Sequence, residues 1–283
     1  MPKAGSSERS GLWYQERGSR RAPTVLALHG FTGSHRTWEM LARCAGPGLR
    51  IVAPDLPGHG RTGGTDPERM TMARTAAALL ELPLPQAFHV IGYSMGARVA
   101  LYLALTAPER VLSLVLESGS PGLAEAHERE ARRTADERWV RLLTEKGLSS
   151  FAALWAAQPL FSSQQDLPLA VRRSIQRERL RQDPAGLAAS LRGAGTGVQE
   201  SLWEELGQLS IPLLIVAGAR DPKFVGIGRA MALRVPTARL VILPGCGHAP
   251  HLEVPTSFVK LVTEFWSGLA EAPRLPSPRG TAG

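Results

Sequence analysis

The chain has 283 residues, 43% of them hydrophobic and 20% charged, a length that buries about 75% of the unfolded surface and suits one large α/β domain or two ordinary ones. It holds no apolar run long enough for a membrane-spanning helix, and the polar stretch 1–21, broken by Gly and Pro, lacks the apolar core of a signal peptide. The net charge of +8 could attract nucleic acid, an anionic membrane surface or an anionic small molecule; it is spread along the sequence, residues 124–205 balance 12 basic against 12 acidic side chains, and only three tyrosines could stack on bases, so nucleic acid is not the expected partner.

In chain order, residues 12–18 (LWYQERG) suggest an antiparallel strand ahead of the main sheet. The apolar run 24–29 ends in Gly30, as a buried parallel strand does. Similar runs recur at 50–53, 87–92, 111–116, 213–217 and 240–243, with helical patterns at 36–44, 69–82, 95–105 and 257–269. Strand and helix alternate, which predicts an α/β fold with a mostly parallel, doubly wound sheet. The strand pattern stops from 119 to 210, where helical pieces occupy 128–146, 150–157, 170–181 and 186–192. A helical insertion between two strands predicts a lid over the sheet's C-terminal edge, where such sheets bind ligands. The expected division is a core of 1–123 plus 206–271, a lid of 124–205, and a Pro/Gly-rich disordered tail at 272–283. Two cysteines, Cys44 and Cys246, make no disulfide framework and fit a reducing, cytoplasmic setting.

The strongest chemical signal is Gly92-Tyr93-Ser94-Met95-Gly96. This G-x-S-x-G pattern follows a predicted strand and opens a predicted helix, the setting of a nucleophile elbow. A serine needs an imidazole to become a nucleophile or base, and the imidazole needs an orienting carboxylate. In the α/β-hydrolase fold these follow in the order Ser, acid, His. Asp221 and His248 each stand just past a predicted strand, on the same edge as Ser94, and Glu117 is the competing acid. The loop Gly30-Phe31-Thr32-Gly33 offers the N–H of Phe31, and the helix start offers the N–H of Met95, as an oxyanion hole. Cys246, His248 and His251 lack a fourth ligand, so no metal is expected. Gly193-Ala194-Gly195-Thr196-Gly197 follows no strand and reads as a flexible turn, not a dinucleotide loop. Trp139 and Trp155 read first as core packing, with Trp155 also a candidate pocket wall.

The stretches LHGFTGS from Leu28, DLPGHG from Asp55, GYSMGAR from Gly92, ESGSPGL from Glu117, EREARR from Glu128, LWAAQPLF from Leu154, LRQDPAGLAASL from Leu180, GARDPKF from Gly218 and GCGHAPHLEVP from Gly245 together resemble one family. It is the 2-succinyl-6-hydroxy-2,4-cyclohexadiene-1-carboxylate synthases of menaquinone biosynthesis. LHGFTGS, DLPGHG and the elbow are common across the superfamily, whereas SPGL, QPLF and DPKF discriminate. The resemblance implies a cofactor-free lyase that removes a proton from a cyclohexene bearing an enolpyruvyl ether and expels pyruvate, with Ser94 as base, activated by His248 and Asp221. It also implies Arg98, Arg132 and Arg181 as the arginines that hold a tricarboxylate, since guanidinium forks match carboxylates. Tyr93, beside the serine, is a further candidate contact. The alternative is a serine hydrolase of a small ester or of a C–C bond next to a ketone, with the same triad; a non-catalytic binding protein of this fold is a third reading. Oligomeric state is not legible.

Overall fold

The computed structural model describes residues 3–7 and 9–271; the tail 272–283 lies outside the described residues. The strands are β1 (Lys3–Ser6), β2 (Trp13–Arg17), β3 (Thr24–Leu28), β4 (Arg50–Pro54), β5 (Phe88–Tyr93), β6 (Val111–Glu117), β7 (Leu213–Gly218) and β8 (Ala238–Leu243). Among the described residues they form one sheet in the order β1-β2-β4-β3-β5-β6-β7-β8. β1 and β2 run antiparallel to their neighbours, and β3 to β8 are parallel. The predicted antiparallel strand is thus β2, while β1, polar and short, gave no apolar signal.

Every residue of β3, β4 and β7 is buried, because helices cover both faces. Alternation still sorts the side chains. Val25 and Ala27 join one apolar layer with Leu41 of α1 (Glu39–Cys44) and Phe258, Val262 and Trp266 of α9 (Pro255–Glu271). Leu26 and Leu28 join the opposite layer, with α2 (Met72–Leu80), α3 (Met95–Thr106) and Met231 of α7 (Pro222–Ala232). The sequence pattern gave no sign of α7, whose start at Asp221-Pro222 places a capping aspartate and an N-terminal proline together.

Between β6 and β7 lie α4 (Ala126–Ala156), α5 (Leu169–Arg179) and α6 (Pro184–Ala194). The two predicted helices at 128–146 and 150–157 form the single run α4, broken at Gly147, whose φ of +76° interrupts the helix. A third apolar cluster, containing Val140, Leu143, Phe151, Trp155 and Leu187, holds this insertion together. Phe31, from the loop after β3, packs against it. The glycine-rich turn 193–197 is buried, not the flexible segment expected. Gly195 and Gly197 lie so close to α4 that a Cβ would stand 3.0 Å from Asp136 Oδ2 and 2.7 Å from the Arg133 nitrogen, respectively. The short α8 (Pro250–Glu253) precedes α9. Among the described residues no helix is long and apolar enough to cross a membrane.

Candidate active site

Ser94 stands between β5 and α3 at φ +51° and ψ −107°, a conformation a non-glycine residue adopts only when its surroundings impose it. The flanking glycines explain how. A Cβ on Gly92 would lie 2.3 Å from the Gly96 carbonyl oxygen, and one on Gly96 would lie 2.2 Å from that of Leu28. Only two residues without side chains let the strand turn this sharply into the helix. The Ser94 N–H donates to the Glu117 carbonyl at 2.9 Å, which ties the turn to β6.

The hydroxyl of Ser94 lies 3.1 Å from His248 Nε2, and His248 Nδ1 lies 2.8 Å from Asp221 Oδ2. Asp221 also caps α7, accepting from the Phe224 N–H at 3.2 Å. His248 and Asp221 are buried. Phe224, with its ring centre 4.6 Å from that of His248, and Phe161, at 6.0 Å, shelter the imidazole. Glu117, the competing acid, bonds elsewhere: its Oε1 accepts from the His251 N–H and from His251 Nδ1, each at 2.8 Å. Of the three residues weighed as metal ligands, His248 and His251 are engaged by carboxylates, and among the described residues no group of three or more His, Cys, Asp or Glu side chains is arranged to hold a metal ion.

The Gly30–Gly33 loop closes through a 2.9 Å hydrogen bond between its end residues, and Phe31 and Met95 both line the cavity with Ser94. Met95 opens α3, so its N–H has no acceptor within the helix. His29 braces the loop: its Nε2 accepts from the Leu56 N–H at 2.9 Å and its Nδ1 donates to the Gly30 carbonyl at 2.8 Å. Full burial pushes the His29 pKa down, in keeping with a neutral ring that donates on one side and accepts on the other. The sequence offers His29 only inside LHGFTGS; its fully buried position between the Leu56 N–H and the Gly30 carbonyl gives it this role.

The cavity above Ser94 measures about 1230 Å³. Tyr93 and Trp155 line it; burial pushes the Tyr93 phenol well above its ordinary pKa, and Trp155 packs edge-on to Phe31 at 5.2 Å. Arg98, Arg132 and Arg181 all reach it, in different states. Arg98 is 8% exposed and donates to Gln199 Oε1 at 2.7 Å, and burial pulls its pKa down to about 10. Arg132 donates from Nε to Asp136 Oδ1 at 2.8 Å, with its side chain 35% exposed. Arg181 lies beyond the end of α5, its side chain 57% exposed and 3.5 Å from Glu178. Two residues earlier, Arg179 is 7% exposed and lies over the Phe161 ring, 5.2 Å from its centre. Burial lowers its pKa, and among the described residues no carboxylate pairs with it. Arg179 is thus the buried cation of this segment that sequence reading missed.

The fold and this strand–serine–helix turn define an α/β-hydrolase-fold protein, and the family model described as the alpha/beta hydrolase fold matches residues 23–255. Two curated relatives carry the name 2-succinyl-6-hydroxy-2,4-cyclohexadiene-1-carboxylate synthase. One, from Bacillus subtilis (strain 168) and named provisionally, is 39% identical over 90% of this chain and 94% of its own length. The other, from Serratia proteamaculans (strain 568), is 32% identical over 88% of this chain and 95% of its own. The solved structure of MenH from S. aureus superposes with a TM-score of 0.86 at 30% identity, covering 91% of this chain and 99% of that one. The chain belongs to the 2-succinyl-6-hydroxy-2,4-cyclohexadiene-1-carboxylate synthase family within the α/β-hydrolase fold.

Proposed function

We propose that this protein is the lyase of menaquinone biosynthesis that converts 2-succinyl-5-enolpyruvyl-6-hydroxy-3-cyclohexene-1-carboxylate to 2-succinyl-6-hydroxy-2,4-cyclohexadiene-1-carboxylate with release of pyruvate. The observation that carries this reading is a hydrogen-bonded Ser94–His248–Asp221 line opening on a cavity that also holds buried guanidinium groups without carboxylate partners. An unpaired buried cation is costly, and an anionic ligand relieves that cost. A neutral ester does not.

In the proposed mechanism Ser94 Oγ takes the ring proton as its own hydroxyl proton passes to His248 Nε2. Asp221 holds Nδ1–H and steadies the imidazolium that forms. The electron pair of the broken C–H bond first generates an enolate, whose oxygen the N–H groups of Phe31 and Met95 stabilise. The enolate then collapses to the new ring double bond, the C–O bond to the enolpyruvyl group breaks, and the leaving enolpyruvate ketonises to pyruvate as His248 returns its proton. Arg98, Arg132 and Arg179 hold the carboxylates; Arg181 serves the cavity mouth. Tyr93 and Trp155 form its walls. Residues 124–205 act as a lid on the core formed by 1–123 and 206–271. The two free cysteines, Cys44 and Cys246, support a reducing, cytoplasmic setting.

The test is pyruvate release from freshly prepared substrate, followed with a coupled reductase against a no-enzyme control, since the substrate also eliminates unaided. Rapid, Ser94-dependent release supports the lyase. Release at the control rate together with fast cleavage of a neutral aryl ester replaces it with the hydrolase alternative.

A further inference from the structure

Arg98 and Arg132 reach one cavity from α3 and α4, and each is gripped from behind by a residue of different charge. Arg132 is held by the buried carboxylate of Asp136, one helical turn along, so its charge is largely compensated. Arg98 is held by Gln199, which is 4% exposed and 101 positions away in the chain. A guanidinium only donates, so the amide oxygen of Gln199 must face it. That leaves Gln199 Nε2, which has no hydrogen-bond partner, turned toward Gly122, where a Cβ would stand 3.2 Å from it. Gly122 itself lines the cavity. The tight turn 193–197 delivers Gln199 to this spot, and the Gln199 N–H is fixed on the Gly195 carbonyl at 3.1 Å.

Buried arginines ordinarily meet carboxylates. Here the anchor has the shape and reach of a glutamate but not its charge. We propose that Gln199 is a positioning residue that orients Arg98 while leaving its positive charge uncompensated, so that the Arg98, Arg132 and Asp136 group keeps one net positive charge and takes one carboxylate of the substrate. Glu128 lines the same cavity, but it is exposed in the first turn of α4, where water screens it. The inference rests on the reading of Arg98 as a carboxylate-binding residue.

The test compares the full-length wild type with Gln199→Glu and Gln199→Met. It measures KM and kcat for pyruvate release, the Kd of benzene-1,3,5-tricarboxylate by calorimetry, and thermal melting. Gln199→Glu grips Arg98 at least as firmly but cancels its charge. It should raise both KM and Kd by on the order of 10-fold, with the loss on KM rather than kcat and no fall in Tm. Gln199→Met loosens Arg98 without cancelling the charge and should weaken binding less. A merely structural role gives the reverse order, with Glu the milder change; that order, or an unaltered Kd in Gln199→Glu, overturns the proposal. If the wild type releases no pyruvate, the assigned reaction fails, and the order of the tricarboxylate Kd values still decides the role of Gln199.

Discussion

Asp221 and Glu117 stand at the ends of neighbouring strands and hold different histidines: Asp221 bonds His248 at 2.8 Å, and Glu117 bonds His251 at the same distance. The His251 ring lies edge-on to Tyr93, 4.6 Å away, so Glu117 acts on the site through packing and not through the serine's partner. Asp221→Asn should lower kcat for pyruvate release by about 10²–10⁴-fold. Glu117→Gln should cost about 1–3 kcal/mol of stability through its altered buried hydrogen bonds, with a far smaller loss of rate. Initial rates and denaturant melts of both variants check this; a larger rate loss in Glu117→Gln would reverse the assignment.

Ser94→Ala should lower pyruvate release by about 10²–10⁴-fold, to near the uncatalysed rate. The main chain at 94 keeps its positive φ in either residue, since Gly92, Gly96 and the Glu117 carbonyl impose it. The melting temperature should therefore stay close to that of the wild type. Retention of most of the rate in clean protein would remove Ser94 from the mechanism.

Arg179→Ala should raise KM by roughly 10- to 100-fold, the range of a buried charge-assisted contact. Arg181→Ala should change it by less than about 3-fold, as its exposed pairing with Glu178 suggests. Steady-state kinetics of the two variants side by side decide between the neighbours.

Gly96→Ala brings a Cβ to 2.2 Å from the Leu28 carbonyl oxygen, backbone that cannot swing aside. The loss of stability should be roughly 3 kcal/mol or more. Urea melts measure it, and a loss below about 1 kcal/mol would show that the elbow can relax.

Three histidines make stability depend on pH, and burial pushes the first of them, His29, below its ordinary value. Burial pushes His59 down to about 3 and His89 down to about 4, both from an ordinary value of 6.5. Below pH 6.5 the unfolded chain gains protons at these rings that the folded chain refuses, so stability falls with pH from about 6.5 to 4. The Asp55 carboxyl, lowered by its bond to His35 despite burial, adds its own loss only below its ordinary 3.8. His89→Gln, which keeps a partner for the Ser113 hydroxyl, should flatten the slope of Tm against pH in that window. An unchanged slope would mean that the imidazole is protonated in the folded state.

The elements that local chemistry dictates were legible from sequence. The elbow needs its two glycines within five residues, and the parallel strands announce themselves as short apolar runs. Asp221 and His248 could be read because strand ends at one edge must converge. Arg179 could not: three arginines lie within 177–181, and only the phase of α5 decides which one turns inward. Gln199 was equally hidden, since a neutral amide 101 positions from its partner leaves no pattern to find. Helix α7 was missed because its glycines and mixed faces weaken the periodic signal that marks α2 and α9.

Phe31 belongs to two apolar clusters at once: it packs on the sheet's layer and, 6.3 Å from Phe151 and 5.2 Å from Trp155, on the insertion's own cluster. Ser34 bonding Glu178, and the Gly60 N–H bonding Gln182 Oε1 at 3.0 Å, fasten the same two parts at their rims. The helices over the site are therefore no interchangeable cassette. Loss of either half strips apolar contacts from the other, so the chain should melt in a single cooperative transition, and grafting this insertion onto another sheet would need Phe31, Ser34 and Gly60 to travel with it.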